Sequence, residues 1–475
     1  MFRTRFFSVL ALTATLAASA LAESPDRHAW VPVREGDFRV VPSIQRDLAV
    51  RLDIIKHAQH NIDIVIWEQK FDESIGKPVL TALRDAADRG VHVRFATTWL
   101  AMKIRDPKNQ SGLYLTHPST RTPIEYRLFG GFDTKTPGLG FDASLHEKLM
   151  VVDGKIVLST GRGHSDAYLK WLDTSLLIRG PLVQEAQDVV NSVFTDVAKE
   201  GDPLPNVAAT VGQKVARFDV IPDMSPAREE DESTADIAWA EATLDPNAVM
   251  LDLEGAETGG RARILHHDYV HQIQDYYART HKTLPKRPLE RYPYFSDPIV
   301  SEMIRLLNAH PREARICSLS LLMHPELERA IKKAAKAGTQ ITILFNDLSA
   351  KVDPMNMPFM TALPHAINLV SASPNVHLLG LQQGAGWPYM YLHRKLAVVD
   401  DTVIMGSHNL NLPSTTDNDE ASFEIQDAGL AAQLRTLFDV DAARAAIPVD
   451  RATLESELNS SILPSILGHQ LLGTF

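Results

Sequence analysis

The sequence holds a single cysteine, Cys317, which excludes an internal disulfide. Cys317 sits in an apolar run and reads as core packing. A long basic tract is also missing. The formal charge is -11, from 48 lysines and arginines against 59 aspartates and glutamates. That balance argues against a dedicated duplex-binding protein, while leaving room for a local basic cleft. Beyond the first residues, no stretch is apolar enough to cross a bilayer.

The N-terminal residues are expected to lie outside the fold. Arg3 and Arg5 precede an apolar stretch over residues 6–16, and small residues ending Ala20-Leu21-Ala22 supply an A-x-A cleavage site. This is the pattern of a secretory signal over residues 1–22, which predicts export to the periplasm or beyond the cell. The signal has no cysteine to carry a lipid anchor, and its removal takes the charge from -11 to -13. The remaining chain, with 44% hydrophobic residues overall, has room for two cores of ordinary size.

Two stretches carry the chemistry. Residues 145–153 read Leu-His-Glu-Lys-Leu-Met-Val-Val-Asp, and residues 392–400 read Leu-His-Arg-Lys-Leu-Ala-Val-Val-Asp. Both are H-x-K-x-x-x-x-D. His146 and Lys148 are two apart, as are His393 and Lys395, so on a strand each pair leaves the same face. The apolar run that follows continues the strand, and Asp153 ends it before the turn-forming Gly154. An imidazole and an ammonium on one face, present twice, suit the holding and attack of a phosphate diester. One histidine would be the nucleophile and the other the general acid.

The surrounding elements repeat as well. A strand at Phe38–Val41, a helix over 43–57 and a buried strand over 62–67 lead to a helix from Pro78 that Gly90 ends. The next strand, 91–95, completes a β-α-β unit and so a parallel pair. Residues 107–144 read as loop. Strands follow at 156–158 and 173–178, then a helix over 182–198. In the second half a helix over 299–308 leads to a strand at 314–319. Leu327, Ile331, Ala334 and Ala335 repeat the face of Val79, Leu83, Ala86 and Ala87 at an offset of 248. Gly338 answers Gly90 at that same offset, and His393 answers His146 at 247. Such constancy means internal duplication into two homologous domains. The first spans residues 23–205 and the second 291–475, with a connecting segment and loop insertion over 206–290. Within that segment residues 228–233 form an acidic loop, and a strand is expected at 263–265. Residues 266–294 read as an aromatic-basic surface loop rather than a metal site, one suited to an anionic head group.

The duplicated motif resembles that of the phospholipase D superfamily, and the likeness extends past it. Gly406-Ser407-His408-Asn409 is similar to the family's G-S-x-N, and Glu420 falls where many members have a late glutamate. Residues 160–168, Thr-Gly-Arg-Gly-His-Ser-Asp-Ala-Tyr, are similar to the G-G-R-N-x-x-D-x-Y of the bacterial cardiolipin-synthase-like branch. Gly163 stands where that pattern has asparagine, so one phosphate-binding amide is missing. Five residues separate Asp400 from Gly406 where the family has six, a difference that a shortened β-turn can absorb. The resemblance implies an α/β fold: two domains, each a mixed sheet flanked by helices, packed about a pseudo-twofold around one shared active site.

The resemblance also implies covalent catalysis without metal or other cofactor. His146 takes the nucleophile role and His393 the acid role, with the reverse assignment left open by the quasi-symmetry. Lys148 and Lys395, with Ser407 and Asn409, would neutralise and hydrogen-bond the phosphate oxygens. Asp153 and Asp400 are expected to orient the two histidines through a ring N–H. Glu420, Arg162 and Asp166 are supporting candidates, the last two as a structural pair. The leading expectation is an exported phosphodiesterase acting on phospholipid at a membrane surface, hydrolysing it or transferring its phosphatidyl group, with no obligatory protein partner. A secreted nuclease is the runner-up, disfavoured by the acidic charge and the lack of a basic, aromatic stacking groove. A catalytically impaired lipid-binding homologue is the third reading.

Overall fold

The computed structural model describes residues 29–106, 108–118, 120–130, 144–200, 256–285, 288–346, 363–381 and 391–460. The expected signal over 1–22 and the acidic loop at 228–233 lie outside them.

Two sheets built on one plan make up the fold. Across the first, the strands run in the order Phe38–Val41, Ser175–Ile178, Ile156–Ser159, Leu149–Val152, Asn61–Ile66, His92–Thr98 and Glu125–Phe129. Across the second the matching order is Glu257–His267, Asn418–Gln426, Thr402–Gly406, Leu396–Val399, Glu313–Ser318, Gln340–Asn346 and Val376–Leu381. Val31–Arg34 extends the second sheet at one edge and Ala446–Pro448 at the other. The last three strands of each series pair in parallel, and the others pair antiparallel. Both sheets are therefore mixed.

The apolar runs explain the layering. Alternate residues of a strand face opposite ways. Leu149 and Val151 join Leu396 and Val398 in one central core shared by both halves, together with Val189 and Val190 of helix Leu182–Glu200 and Leu434 and Phe438 of helix Ala428–Ala445. Their neighbours Met150 and Val152 face the first half's outer core, and Ala397 and Val399 face the second's. Each outer core is closed by an amphipathic helix, Gly76–Arg89 in one half and Pro325–Lys336 in the other. Val79, Leu83, Ala86 and Ala87 are all fully buried, as are Leu327, Ile331 and Ala335. Truncating a residue such as Leu83 to alanine costs about 2–5 kcal/mol at sites of this kind. Gly90 and Gly338 end their helical segments at φ of 100° and 110°, a conformation that side chains with a Cβ avoid.

Three sequence readings change. The supposed loop over 107–144 contains helix Gln110–Leu115 and edge strand Glu125–Phe129, while residues 131–143 lie outside the described residues. Of the expected connecting segment, residues 206–255 also lie outside. From Glu257 on, however, the chain forms a strand of the second sheet. Residues 266–294 are not a simple surface loop: they begin on that strand and include helix Tyr269–Thr280, with His267 buried against the carbonyl of Thr415 at 2.8 Å. The few alternating residues around Ile264 understated that strand, because its outer end, Glu257 to Arg261, is polar and exposed or half-exposed. Among the described residues no helix is long and apolar enough to cross a membrane.

Candidate active site

Each histidine motif is anchored by the main chain of the opposite half. Ser144 and Leu145 pair in parallel with Asn418 and Asp419, and the His146 N–H donates to the Asp419 carbonyl at 3.0 Å. In the mirror arrangement, Tyr391 and Leu392 pair in parallel with Trp171 and Leu172, and the His393 N–H donates to the Leu172 carbonyl at 2.8 Å. Residues 144 and 391, and residues 171 and 418, stand 247 apart, the offset of the motifs themselves. The two ribbons are thus copies of one crossing, and the crossing brings the half-sites together. The period-2 reading also holds: Glu147, between His146 and Lys148, lies against His266 at 3.3 Å, while Arg394 bonds Asp441 and Thr174.

The carboxylates that meet the histidines are not those of the motifs. His146 Nδ1 lies 2.8 Å from Glu420 Oε1, and His393 Nδ1 lies 2.7 Å from Asp173 Oδ2. An ionised carboxylate only accepts, so Nδ1 carries the proton in both rings and Nε2 keeps its lone pair for the cleft. Each carboxylate comes from the half that does not supply the histidine. Asp173 was missed in the sequence reading, although it precedes Glu420 by 247 residues, and that offset was the signal that could have found it.

The expectation that Asp153 and Asp400 orient the histidines is overturned. Seven residues of extended chain separate His146 from Asp153, a span of roughly 23 Å. At the far end of the strand Asp153 takes a φ of 53° and accepts the backbone N–H groups of Gln59, His60 and Asn61 at 2.7–2.9 Å. Asp400, at φ 46°, accepts those of Arg312 and Glu313 at 3.1–3.2 Å. Both aspartates tie a hairpin turn to the start of a neighbouring strand. The second turn is shorter. Val152 pairs with Ile156 across three residues, while Val399 pairs with Thr402 across two. This accounts for the missing residue between Asp400 and Gly406.

The two lysines are arranged alike. Lys148 Nζ donates to the carbonyl of His146 at 2.7 Å, and Lys395 Nζ to that of His393 at 2.6 Å. Burial pulls the Lys148 ammonium down to about 8 against the attraction of Glu420, and that of Lys395 down to about 7 against Asp173. Burial also lowers His146 to about 4 and His393 to about 3, outweighing the carboxylate on each ring. Asp173, which burial alone would raise, is brought to about 2 by its hydrogen bond to His393. Lys395 acts electrostatically on His146 and Lys148 on His393, so the four groups share one field. The resting site therefore holds two neutral imidazoles beside the Lys148 ammonium and a Lys395 that titrates near neutrality and that an arriving anion would keep protonated, an environment suited to an anionic diester.

Of the two side chains expected to bind phosphate, only one is uncommitted. Ser407 Oγ donates to Glu420 Oε2 at 2.5 Å, so it fixes the carboxylate rather than facing the cleft. Asn409 has its backbone N–H on Ser414 Oγ and its carbonyl on Ser318 Oγ, while its buried Oδ1 has no hydrogen-bond partner. Between them, His408 donates from Nε2 to Asp297 at 2.9 Å and accepts the Leu410 N–H at Nδ1, which clamps the loop. Arg162 and Asp166 do not pair. Arg162 donates to the carbonyls of Asp173 and Pro42 and to Ser175, and so supports the strand carrying Asp173. Asp166 instead accepts the N–H groups of Ser74 and Ile75. Among the described residues no group of three His, Cys, Asp or Glu side chains is placed to hold a metal ion.

Comparison with known proteins gives a consistent set of likenesses. The family description "cardiolipin synthase, PLD-like domain" matches residues 52–170 and 303–442. Cardiolipin synthase C of Escherichia coli K12 is 26% identical over 432 residues, covering 81% of this chain and 80% of that protein. In fold, the chain is similar to the phosphatidylserine synthase of Haemophilus influenzae Rd KW20, with a TM-score of 0.62 at 14% identity and 96% of both chains covered.

Proposed function

Since the chain belongs to the phospholipase D-like, cardiolipin synthase family, we propose that it is an exported phosphodiesterase that cleaves phospholipid phosphodiesters through a phosphohistidine. The observation that carries this reading is the crossed pair of dyads, His146–Glu420 and His393–Asp173, with a buried lysine beside each.

In the first step His146 Nε2 attacks phosphorus, forming the N–P bond as the bond to the leaving alkoxide breaks. Glu420 stabilises the positive ring that results. An anionic phosphate in the site raises the basicity of His393, which takes up a proton from solvent at Nε2 as the substrate binds and gives it to the leaving oxygen. In the second step His393 takes a proton from water or an alcohol, whose oxygen displaces His146 from phosphorus. Lys148, Lys395 and the Asn409 amide offset charge on the non-bridging oxygens as it builds up. Two features support a lipid substrate: the relative named a cardiolipin synthase and the secretory pattern of residues 1–22. A water acceptor gives hydrolysis and a glycerol-type alcohol gives phosphatidyl transfer.

The test is turnover of phosphatidylglycerol, phosphatidylethanolamine and phosphatidylcholine vesicles in EDTA, with glycerol as competing acceptor and single-stranded DNA in parallel. Lipid turnover that survives EDTA and vanishes in His146→Ala supports the proposal, and glycerol products separate transfer from hydrolysis. Cleavage of DNA alone would overturn it.

A further inference from the structure

The two halves differ beside the phosphate site. Hairpin register fixes the comparison, because Ser159 opposes Leu149 as Met405 opposes Leu396. Four residues on, Gly163 is the counterpart of Asn409. Two residues further, Ser165 and Asn411 each cap a short helical turn, Asp166–Lys170 in one half and Leu412–Thr416 in the other. Tyr168 is thereby the counterpart of Ser414. The second half combines asparagine with serine, and the first combines glycine with tyrosine.

A Cβ built on Gly163 would lie 2.8 Å from Tyr168 Cε2 and 2.9 Å from its hydroxyl oxygen, distances at which something must move. In this chain the tyrosine ring therefore lies closer to the backbone at 163 than a side chain there would allow, and a side chain added at 163 would push on the ring. Tyr168 also stands edge-on to His393, ring centroids 5.8 Å apart, and Trp171 packs on both rings at 4.6 Å. All three side chains are buried. His146 has a sparser setting, with Trp67 edge-on at 6.2 Å.

We infer that Tyr168 is a positioning residue for His393: its ring, packed with Trp171 and closed up against Gly163, holds the imidazole on Asp173. The inference rests on the catalytic reading of His393. It makes the hydrogen-bonding cradle one-sided, with the Asn409 amide supplied by the second half and an aromatic brace by the first. Tyr168 contributes shape, not its hydroxyl.

The experiment uses Gly163→Ala, Tyr168→Phe and Tyr168→Ala in the full chain. It follows vesicle turnover and, independently, the NMR titration of His393 in histidine-labelled protein. Gly163→Ala and Tyr168→Ala are expected to lower kcat by about tenfold or more with little change in KM, as misplacement of a reacting group does. They should also raise the His393 midpoint by about one unit as its burial loosens. Tyr168→Phe should match wild type in both. If Gly163→Ala does not fold, the two Tyr168 variants decide. An unshifted His393 and wild-type kcat in Tyr168→Ala, or a Tyr168→Phe as damaged as Tyr168→Ala, overturns the inference. A wild type inactive on every phosphodiester sinks the proposed function instead, and the His393 titration still settles the role of Tyr168.

Discussion

Glu420 Oε1 sits 2.8 Å from His146 Nδ1 although 274 residues separate them, and His393 is reached by Asp173 across 220 residues in the same manner. Neither half contains a histidine together with the carboxylate that orients it. Removing one carboxylate should therefore injure chemistry without unfolding either sheet. Glu420→Gln and Asp173→Asn are expected to lower kcat by roughly 10²–10⁴-fold, as loss of the orienting acid does in other His–carboxylate dyads. Circular dichroism should be unchanged. Wild-type kcat in both variants would mean that the dyads are structural.

Asp153 should behave in the opposite way. Its carboxylate holds three backbone N–H groups at a turn far from the cleft. Asp153→Asn is expected to cost about 1–2 kcal/mol in a denaturant titration, the scale of a lost cap, with kcat nearly intact. Asp400, with longer hydrogen bonds to two N–H groups instead of three, should cost less. A kcat collapse in Asp153→Asn at unchanged stability would restore the role first expected for it.

Lys395 is an ammonium held at a loss. Burial brings its pKa to about 7, below the unfolded value of about 10.4. Between these values the unfolded chain binds more protons than the folded one, so stability rises with pH through that window. Lys395→Met is expected to abolish turnover yet melt higher than wild type, by on the order of 1–3 kcal/mol near neutrality. The gain should be fullest below pH 7 and shrink as pH climbs towards 10. Melting curves across pH check it, and a gain that grows with pH would refute the burial argument.

The roles of the two histidines can be separated by the leaving group. A diester of p-nitrophenol needs little protonation to depart, so His393→Ala should still form a phosphohistidine on His146 and then stall. A quench in alkaline denaturant, in which the N–P bond persists, followed by mass spectrometry should find the label in the peptide carrying His146, while His146→Ala should trap none. Label on His393 in the His146→Ala protein would reverse the assignment.

Much of this molecule was legible in its sequence. The H-x-K spacing put both side chains on one face, although residues 146–148 and 393–395 link two strand segments and do not lie within a strand, and Gly90 and Gly338 marked equivalent helix ends. The 247–248 offset gave the duplication, and the apolar runs gave sheets covered on both sides. What stayed hidden was pairing between the halves. Asp173 carries no local mark, because its function depends on which strand lies across from it. The motif aspartates misled for the converse reason: they are close in sequence to the histidines, but an extended strand turns seven residues into a long distance. Ser407 looked free to meet phosphate until Glu420 was seen beside it, and the tertiary fold alone brings those two together.

The hairpin turn at Asp400 is one residue shorter than the one at Asp153, yet the Gly406–Asn409 loop still brings Ser407 to Glu420, the carboxylate that meets His146. The difference is confined to a bend at the surface, held by side chain to backbone bonds that do not depend on the number of residues in between. The two halves differ in length at that turn while their histidine–carboxylate pairs and lysines match. A linker, an epitope or a reporter inserted after Asp401 would use the same tolerance.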